Sequence, residues 1–317
     1  MRVLITGADG FIGRALVARL LSEDALPALG DRRRDLILLD RQFSTSSHKD
    51  ARVRSLIGDI ADYDFLREAF ANKVDCVFHL ASVPGGAAEA DFDLGMRANL
   101  QATLALLETL RVQQPAAKFV FASTIGVYGV PLPKVIDEAT IPLPTLSYGA
   151  QKLMGEILVS DYSRRGFVDG RSLRLPGIVA RPPASGMLSA FLSELIRALS
   201  AGQPFTCPVS SEGLSWWMSR SCVVDNLLHA AALGPEYVGS RRVWLLPVLH
   251  ASMGEVVAAI GRVHGPGVPG RVTYQPNAAL QAQFANYPPL QCPSSVAAGF
   301  KHDGSLEALV QRALDGP

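Results

Sequence analysis

The sequence predicts an α/β fold in which a doubly wound parallel sheet is followed by a smaller C-terminal portion. Runs of aliphatic and β-branched residues alternate with segments of helical periodicity, as in parallel strands joined by crossover helices. The first run, Val3–Ile5, leads directly into glycines at 7, 10 and 13. The chain has 317 residues, 48% of them hydrophobic, which is enough for one large core and a second smaller one.

Each element follows from the same alternation. Strands are predicted near 2–6, 36–40, 53–57, 76–80, 118–123 and 171–175. Helices are predicted near 99–112, 148–163, 187–200 and 305–314, the last with Ser305 as its cap. The run 241–246 is predicted to return to the main sheet. The sequence therefore predicts one domain over 1–176, joined by 221–250, and a second portion over 177–220 and 251–317.

The first strand, the glycines and the helix after them form a strand, a tight turn and a helix. Such glycines let pyrophosphate oxygens approach the backbone amides at the positive end of the helix. A second strand ends in Asp40, 27 residues after Gly13. A carboxylate there accepts hydrogen bonds from the adenosine ribose and repels a 2′-phosphate, which predicts NAD in preference to NADP. Arg41 leaves NADP open, because a guanidinium can bind that phosphate.

Tyr148 and Lys152 lie four residues apart, so a helix places them on one face. An ammonium near a phenol favours the phenolate, and the pair can then act as a general acid and base. By itself the pattern also fits a surface aromatic beside a solvated lysine. His79, within an apolar strand, is interpreted as a core residue and has no part in the predicted mechanism.

Three motifs together resemble the extended short-chain dehydrogenase/reductase superfamily, which includes the NAD-dependent epimerase/dehydratase family. They are Thr6-Gly-x-x-Gly-x-x-Gly13, Ser123-Thr124 ahead of Tyr128-Gly129, and Tyr148-x-x-x-Lys152. The resemblance covers almost the whole chain and implies a Rossmann fold, NAD as the cofactor, and Thr124, Tyr148 and Lys152 as catalytic residues. It also implies a homodimer through the helices near 99–112 and 148–163, although packing on the sheet explains the same apolar residues.

The resemblance further implies which residues bind ligands. The cofactor-binding set is Gly7, Gly10, Phe11, Ile12, Gly13, Asp40, Asp59, Ile60, Leu80, Ala81, Ser82, Asn99, Tyr148, Lys152 and Pro176. The substrate-binding set is Ser82, Ser123, Thr124, Tyr148 and Arg220. Several of these residues end strands, and open parallel sheets bind ligands at that edge.

Three reaction classes share this machinery. Sugar-nucleotide 4,6-dehydratases follow the catalytic Thr with an Asp-Glu pair, but Ile125 and Gly126 stand there and cannot transfer a proton. Nucleotide-sugar epimerases remain the alternative to a dehydrogenase. A nucleotide-binding protein without turnover, such as a redox sensor or a scaffolding subunit, is a third class. The intact Thr124, Tyr148 and Lys152 argue against it.

The segment Gly202–Ala231 is similar to D-erythronate dehydrogenases, a branch that oxidises a four-carbon sugar acid at C2. Arg220 matches a Ser/Pro-Arg-Ser element of that branch, and a guanidinium suits a substrate carboxylate. A contact with a sugar-nucleotide phosphate or a structural ion pair is the alternative for Arg220. Trp217 and Met218 replace the expected His and Ala, so the length of the acid stays open. Trp216 and Trp217 fit either a pocket wall or core packing.

Composition narrows the partners. The formal net charge is +1, which gives no case for nucleic acid, and the sequence has no run of eighteen apolar residues that would cross a membrane. The four cysteines are widely spaced without histidine partners, which predicts free thiols, no bound metal and a reducing compartment. Met1 leads straight into the first strand, so no cleaved signal is expected. The sequence therefore predicts a cytoplasmic enzyme acting on a small, anionic sugar acid.

Overall fold

A computed structural model describes residues 1–22, 34–44, 50–114, 116–182, 189–234, 236–238 and 242–314. The strands in these ranges are β1 (Arg2–Thr6), β2 (Asp35–Asp40), β3 (Val53–Ile57), β4 (Cys76–His79), β5 (Lys118–Thr124), β6 (Asp169–Leu175), β7 (Phe205–Cys207), β8 (Leu214–Trp217), β9 (Val243–Leu245), β10 (Leu249–Ser252) and β11 (Val272–Tyr274).

The α-helices in the same ranges alternate with the strands of the first half and dominate the second. They are α1 (Phe11–Leu21), α2 (Tyr63–Ala69), α3 (Gly85–Ala90), α4 (Phe92–Gly95), α5 (Ala102–Gln113), α6 (Ser147–Arg164), α7 (Ala190–Ser200), α8 (Arg220–Ala232), α9 (Met253–His264), α10 (Ala278–Phe284), α11 (Pro293–Ala297) and α12 (Leu306–Leu314). Short turns of other pitch are a π-turn at Met96–Gln101 and 3₁₀ turns at Ile125–Tyr128 and Pro269–Arg271.

Within the described ranges, seven strands form one sheet in the order β3-β2-β1-β4-β5-β6-β9. Every neighbouring pair in it is parallel. The strand order reverses direction between β1 and β4, and such a switch point opens a crevice at the carboxyl ends of the strands. The predicted doubly wound parallel sheet is confirmed, including the returning strand, although Arg241 lies outside the described residues.

The chain divides into two compact units. The first comprises Met1–Val130, Ile141–Leu175 and Val224–Leu245. Its central strands are buried on both faces, because helices cover both sides of a parallel sheet. Leu4, Val77 and Phe119 pack there against the apolar face of α5, at Leu106 and Leu110. This burial fixes the sheet and therefore the strand ends that carry the candidate site.

The second unit comprises Pro131–Thr140, Pro176–Val223 and Leu246–Pro317. It contains the strand pairs β7 with β11, which is parallel, and β8 with β10, which is antiparallel. The segment 131–140 belongs here, whereas the sequence analysis assigned it to the first domain. The reason is local: the Ile136 amide donates to the Pro289 carbonyl at 3.0 Å and the Glu138 carboxylate accepts from the Ser295 amide at 3.0 Å.

The predicted helices at 148–163, 187–200 and 305–314 correspond to α6, α7 and α12, but residues 183–188 lie outside the described ranges. Ser305 caps α12, since its hydroxyl accepts from the Ala308 amide at 3.2 Å. The helix predicted at 99–112 differs from the structure in its first turn. There the backbone forms the π-turn Met96–Gln101 before α5 begins.

Candidate active site

The turn after β1 is pressed against the end of β4. Gly7 has φ +68°, and a Cβ on it would lie 2.7 Å from the Ala81 amide nitrogen. A Cβ on Gly13 would lie 2.1 Å from the Gly7 carbonyl oxygen. Only glycine fits at these two positions, and α1 therefore begins at Phe11 directly beside the strand ends. The amino-terminal end of α1, with Ile12 in its first turn, carries positive potential toward this edge.

A groove of about 330 Å³ lies along this edge of the first unit. Its predicted lining residues are Gly7, Gly10, Asp40, Asp59, Ile60, Leu80, Ala81 and Ser82. Its further lining residues are Asp9, Leu39, Arg41, Gln42, Gly58, Val83, Leu94, Arg97 and Ala98. Of these further residues only Arg41 was considered as a ligand contact from the sequence. The others reach the groove from different elements, such as Leu39 in β2, Leu94 in α4 and Arg97 in the π-turn, which only the tertiary structure brings together.

Asp40 sits at the rim of the groove with its carboxylate fixed by backbone. One oxygen accepts from the Asp9 amide at 2.9 Å and the other from the Arg41 amide at 2.7 Å. The Arg41 side chain is exposed beside it. A fixed carboxylate with open lone pairs can accept hydrogen bonds from a diol and repels a phosphate.

Asp59 and Arg97 form an ion pair at 2.7 Å across the groove wall. Burial opposes the ionised form of Asp59, but the Ala61 amide and the Arg97 guanidinium outweigh it and hold the pKa of Asp59 below its usual range. The sequence missed Arg97. It lies in the π-turn just before the predicted helix at 99–112, and no pattern in the sequence indicated it.

Lys152 and Tyr148 share the first turns of α6, as predicted. The Lys152 side chain is 1% exposed, and its Nζ donates to the Ala122 carbonyl at 2.9 Å. The same Nζ lies 5.9 Å from the centre of the Tyr148 ring and 4.8 Å from that of Phe121. Burial lowers the pKa of Lys152 to about 7, against a smaller opposing effect of the Glu156 carboxylate. This ammonium is therefore poised to titrate near neutral pH.

Thr124 ends β5 and caps the 3₁₀ turn that follows. Its hydroxyl oxygen accepts from the Gly126 amide at 3.0 Å and the residue is partly exposed. The turn packs closely on α6, because a Cβ on Gly149 would lie 2.4 Å from the Gly126 carbonyl oxygen. The turn that Thr124 caps is therefore held against the residue that follows Tyr148.

Two side chains that were predicted to bind ligands form hydrogen bonds to other groups of the protein. Ser123 is buried and donates to the Glu156 carboxylate at 2.5 Å. Asn99 is buried in the π-turn, where its Oδ1 accepts from the Val83 amide at 2.8 Å and its Nδ2 donates to the Val83 carbonyl at 3.1 Å. A direct contact of either side chain with a ligand stays a prediction.

His79 is a core residue, as interpreted from the sequence. Its ring nitrogens are bonded to the hydroxyls of Thr6 at 2.7 Å and Thr103 at 2.9 Å. Burial, assisted by the charge of Lys152, lowers the pKa of His79 well below its usual value. The ring is therefore neutral and structural.

In the second unit, the open question about the tryptophans has an answer. Trp216 and Trp217 are buried, and their indole nitrogens donate to the carbonyls of Pro288 at 2.8 Å and Ala251 at 2.9 Å. Both are core residues. Arg220 opens α8 and is 9% exposed, and burial lowers its pKa from the ordinary value. Pro176 is buried at the start of this unit.

Comparisons with known proteins agree with this geometry. A model of the NAD dependent epimerase/dehydratase family matches residues 3–218. The chain belongs to this family. D-erythronate dehydrogenase of Cupriavidus necator is 41% identical over 99% of this chain and 98% of the relative. D-erythronate dehydrogenase of Haemophilus influenzae is 32% identical over 99% of both chains.

A solved structure is also similar to this family member. The nucleoside-diphosphate-sugar epimerase of Agrobacterium tumefaciens has a TM-score of 0.89 and 33% identity, and the match covers 98% of this chain and 92% of the epimerase. Family membership and the curated relatives make the protein an NAD-dependent oxidoreductase.

The groove suits NAD. Gly7 leaves the space that a Cβ would fill, so a pyrophosphate can reach the amides at the start of α1. Asp40 offers the carboxylate that can accept hydrogen bonds from an adenosine ribose.

Among the residues described, no group of three or more His, Cys, Asp or Glu side chains could hold a metal ion. No helix in the described ranges is both long and apolar enough to cross a membrane.

Proposed function

We propose that the protein oxidises the C2 hydroxyl of a small, D-erythronate-like sugar acid to the 2-oxo acid. The observation that carries this proposal is the 41% identity to a D-erythronate dehydrogenase along the full length of both chains. The match to the Cupriavidus enzyme includes the second unit as well as the first, which supports the same class of substrate for both proteins. Because Trp217 and Met218 replace the His and Ala expected in that branch, the panel of acids below is chosen to determine the chain length and stereochemistry of the substrate.

The proposed proton transfer uses three residues of the first unit. Tyr148 as phenolate removes the proton of the substrate hydroxyl. Lys152 stabilises that phenolate by its charge, and the Ala122 carbonyl fixes the ammonium in place. Thr124 donates a hydrogen bond to the substrate oxygen as the hydroxyl becomes a ketone. NAD, when bound in the groove, supplies the acceptor for the hydride that leaves C2.

Ligand contacts follow the predicted sets. Gly7, Asp40 and the Leu80–Ser82 backbone hold the cofactor, and Pro176 belongs to the same predicted set. Arg220, which matches the Ser/Pro-Arg-Ser element, is assigned to the carboxylate of the acid, because a guanidinium can donate two parallel hydrogen bonds to it. Ser82, exposed at the rim of the groove, orients the substrate.

The test is formation of reduced cofactor by the purified protein. NAD or NADP is supplied with a panel of aldonic acids that includes D-erythronate and L-threonate, and Tyr148→Phe is run in parallel. We expect turnover with at least one acid and NAD, lost in the variant. Turnover that survives in Tyr148→Phe would overturn the assigned general base.

A nucleotide-sugar epimerase is the second candidate, favoured by the likeness to the Agrobacterium epimerase. Epimerisation needs the same hydride step and a ketone that turns before it is reduced again. The protein is an epimerase if no acid is oxidised and if protein that retains NAD converts a uridine or thymidine diphosphate sugar.

We also propose a cytoplasmic homodimer. Leu104 of α5 and Met154 and Ile157 of α6 are exposed apolar side chains in the first unit, which suits a two-fold contact between these helices. The four cysteines are free and buried, which suits a reducing compartment. Sedimentation of the purified protein tests the dimer, and a monomer at micromolar concentration would contradict it.

A further inference from the structure

Two consecutive residues of β5 hold two residues of α6 that are one helical turn apart. The Ala122 carbonyl accepts from Lys152 at 2.9 Å, and the Ser123 hydroxyl donates to Glu156 at 2.5 Å. The next residue of the strand is Thr124, and one turn before Lys152 on the helix is Tyr148. The two bonds therefore fix the helix against the strand directly beside the proposed proton-transfer pair.

The second of these bonds is anchored by a buried ion pair. Glu156 is 2% exposed and receives two bonds from Arg174, one from Nη2 at 2.7 Å and one from Nε at 3.0 Å. Arg174 also donates to the Tyr128 hydroxyl at 2.9 Å, at the end of the turn that Thr124 caps. These donors fix the position of the carboxylate.

A buried ion pair by itself is weak support for stability, since desolvation offsets its attraction. Its place here suggests another use. The carboxylate is one turn from Lys152, on the same helix face. It is the anion that opposes the loss of charge of Lys152 by burial.

We propose that Ser123 and Glu156 are positioning residues of the reaction, in which Ser123 sets the register of α6 on β5 and Glu156 keeps the Lys152 ammonium charged. This inference rests on the proposed roles of Tyr148, Lys152 and Thr124. It also gives Ser123 a role in positioning in addition to the substrate contact predicted from the sequence.

The groups around Lys152 come from several elements. On α6 they are Tyr148, whose ring lies 5.9 Å away, and Glu156. On β4 lies His79, whose pKa is lowered by burial and by the charge of Lys152. Neighbouring β5 residues offer the Ala122 carbonyl and the Phe121 ring, and β6 contributes Arg174 through Glu156. Among these groups Glu156 is the carboxylate. Removing its charge should therefore lower the pKa of Lys152, and this change can be measured.

The first experiment follows the charge of Lys152 without any turnover. Glu156→Gln keeps the shape and one acceptor oxygen but removes the charge, and it replaces the other acceptor by an NH2 group, so one of the bonds donated by Arg174 or Ser123 is lost. Side-chain NMR of protein labelled with ¹⁵N-lysine gives the titration of each ammonium, and the chain has six lysines, so Lys152→Met assigns the signal. We expect the midpoint of Lys152 to fall by about one pH unit, and Glu156→Asp to restore most of the shift. An unchanged midpoint in Glu156→Gln overturns the role of Glu156.

The second experiment separates register from stability. Ser123→Ala removes the hydroxyl bond but leaves both charges. Its matched control is Ser163→Ala, which removes a buried hydroxyl of α6 three turns beyond Lys152; that hydroxyl donates to the Val159 carbonyl and accepts from the Gly170 amide. We expect a similar loss of thermal stability in both, and about a tenfold loss of kcat at unchanged KM for NAD in Ser123→Ala alone. Equal kcat values in the two variants overturn the role of Ser123.

The outcome is distinguishable from failure of the proposed function. If Tyr148→Phe keeps its activity, the assignment of the general base is wrong whatever the lysine titration shows. If Tyr148→Phe is inactive while Glu156→Gln titrates and turns over as the wild type does, the proposed function stands and this inference fails.

Discussion

The two ends of the candidate site in the first unit hold their groups in different ways. Around Gly7 and Asp40 the groove is built from backbone amides, a missing side chain and partly exposed carboxylates. Lys152 and Thr124 do not line this groove, and the part of the candidate site around them is built from side chains, with a buried cation and a buried ion pair one turn away. Recognition at the first end depends on how closely the backbone approaches, whereas chemistry at the second depends on individual functional groups. Substitutions at the two ends should therefore fail in different ways.

The largest effect is expected at the chemical end. Tyr148→Phe removes the proton acceptor but leaves the ring, so kcat should fall about 1,000-fold while the affinity for NAD changes little. Tyr162→Phe is the matched control, because Tyr162 lies on the same helix and its hydroxyl bonds Glu108 in a half-buried contact that does not line the groove. Steady-state kinetics and NAD titration measure both quantities. A parallel loss of NAD affinity would mean that the two ends are not separate.

At the groove, Gly7→Ala should weaken NAD binding by about 100-fold. The added Cβ would lie 2.7 Å from the Ala81 nitrogen, and φ of +68° strains any L side chain. Gly166→Ala isolates strain from collision, because Gly166 has φ +75° and nothing within 4 Å of its Cβ position. Calorimetric titration with NAD is the measurement. Gly166 does not line the groove, so equal NAD affinities for the two variants would show that a Cβ at residue 7 does not obstruct the cofactor and would contradict the prediction.

A smaller effect is expected from Asp40→Ser, which removes the rim carboxylate. The ratio of kcat/KM for NAD to that for NADP should fall about tenfold, because repulsion of the 2′-phosphate is lost while Arg41 stays beside the site. Kinetics with the two cofactors measure the ratio. An unchanged ratio would mean that Arg41 or another group selects the cofactor.

The smallest effect concerns stability against pH. The folded pKa of Lys152, about 7, lies below its unfolded value, so the unfolded chain binds more protons above pH 7. The cost of burying the charge is fully present below pH 7 and fades as the pH rises toward the unfolded pKa. Lys152→Met should therefore raise the melting temperature by about 3 °C at pH 6.5, with a difference that shrinks by pH 9. A difference independent of pH would contradict the depressed pKa.

The sequence predicts some residues of the candidate site and not others. The strands, the glycine turn, Asp40 and the Tyr148–Lys152 pair follow from local patterns, because periodicity and helix spacing act over a few residues. Arg97 could not be found, since its partner Asp59 lies 38 residues away in the sequence and meets it only in the folded chain. The Glu156–Arg174 pair joins a helix to a strand 18 residues later, and no local pattern indicates such a partner.

The second unit was less predictable for a related reason. Trp216 and Trp217 follow one another on β8, so their side chains point to opposite faces of the strand. On a strand with one face in solvent, one of the two tryptophans would be exposed. Both are buried because apolar residues cover each face, Trp216 stacking on Tyr287 and Trp217 packing in the core with Leu195 and Val256.

The Asn99 side chain imitates a neighbouring strand. A backbone segment next to a β-strand offers one acceptor and one donor, and Asn99 offers both to the carbonyl and amide of Val83. Asn99 thereby holds the backbone of Val83, which lines the groove shortly after β4 ends. Because both bonds are made to the main chain, residue 99 needs a side chain that donates and accepts at once, as an amide does. One side chain thus holds a loop at the groove in the way that a neighbouring strand would.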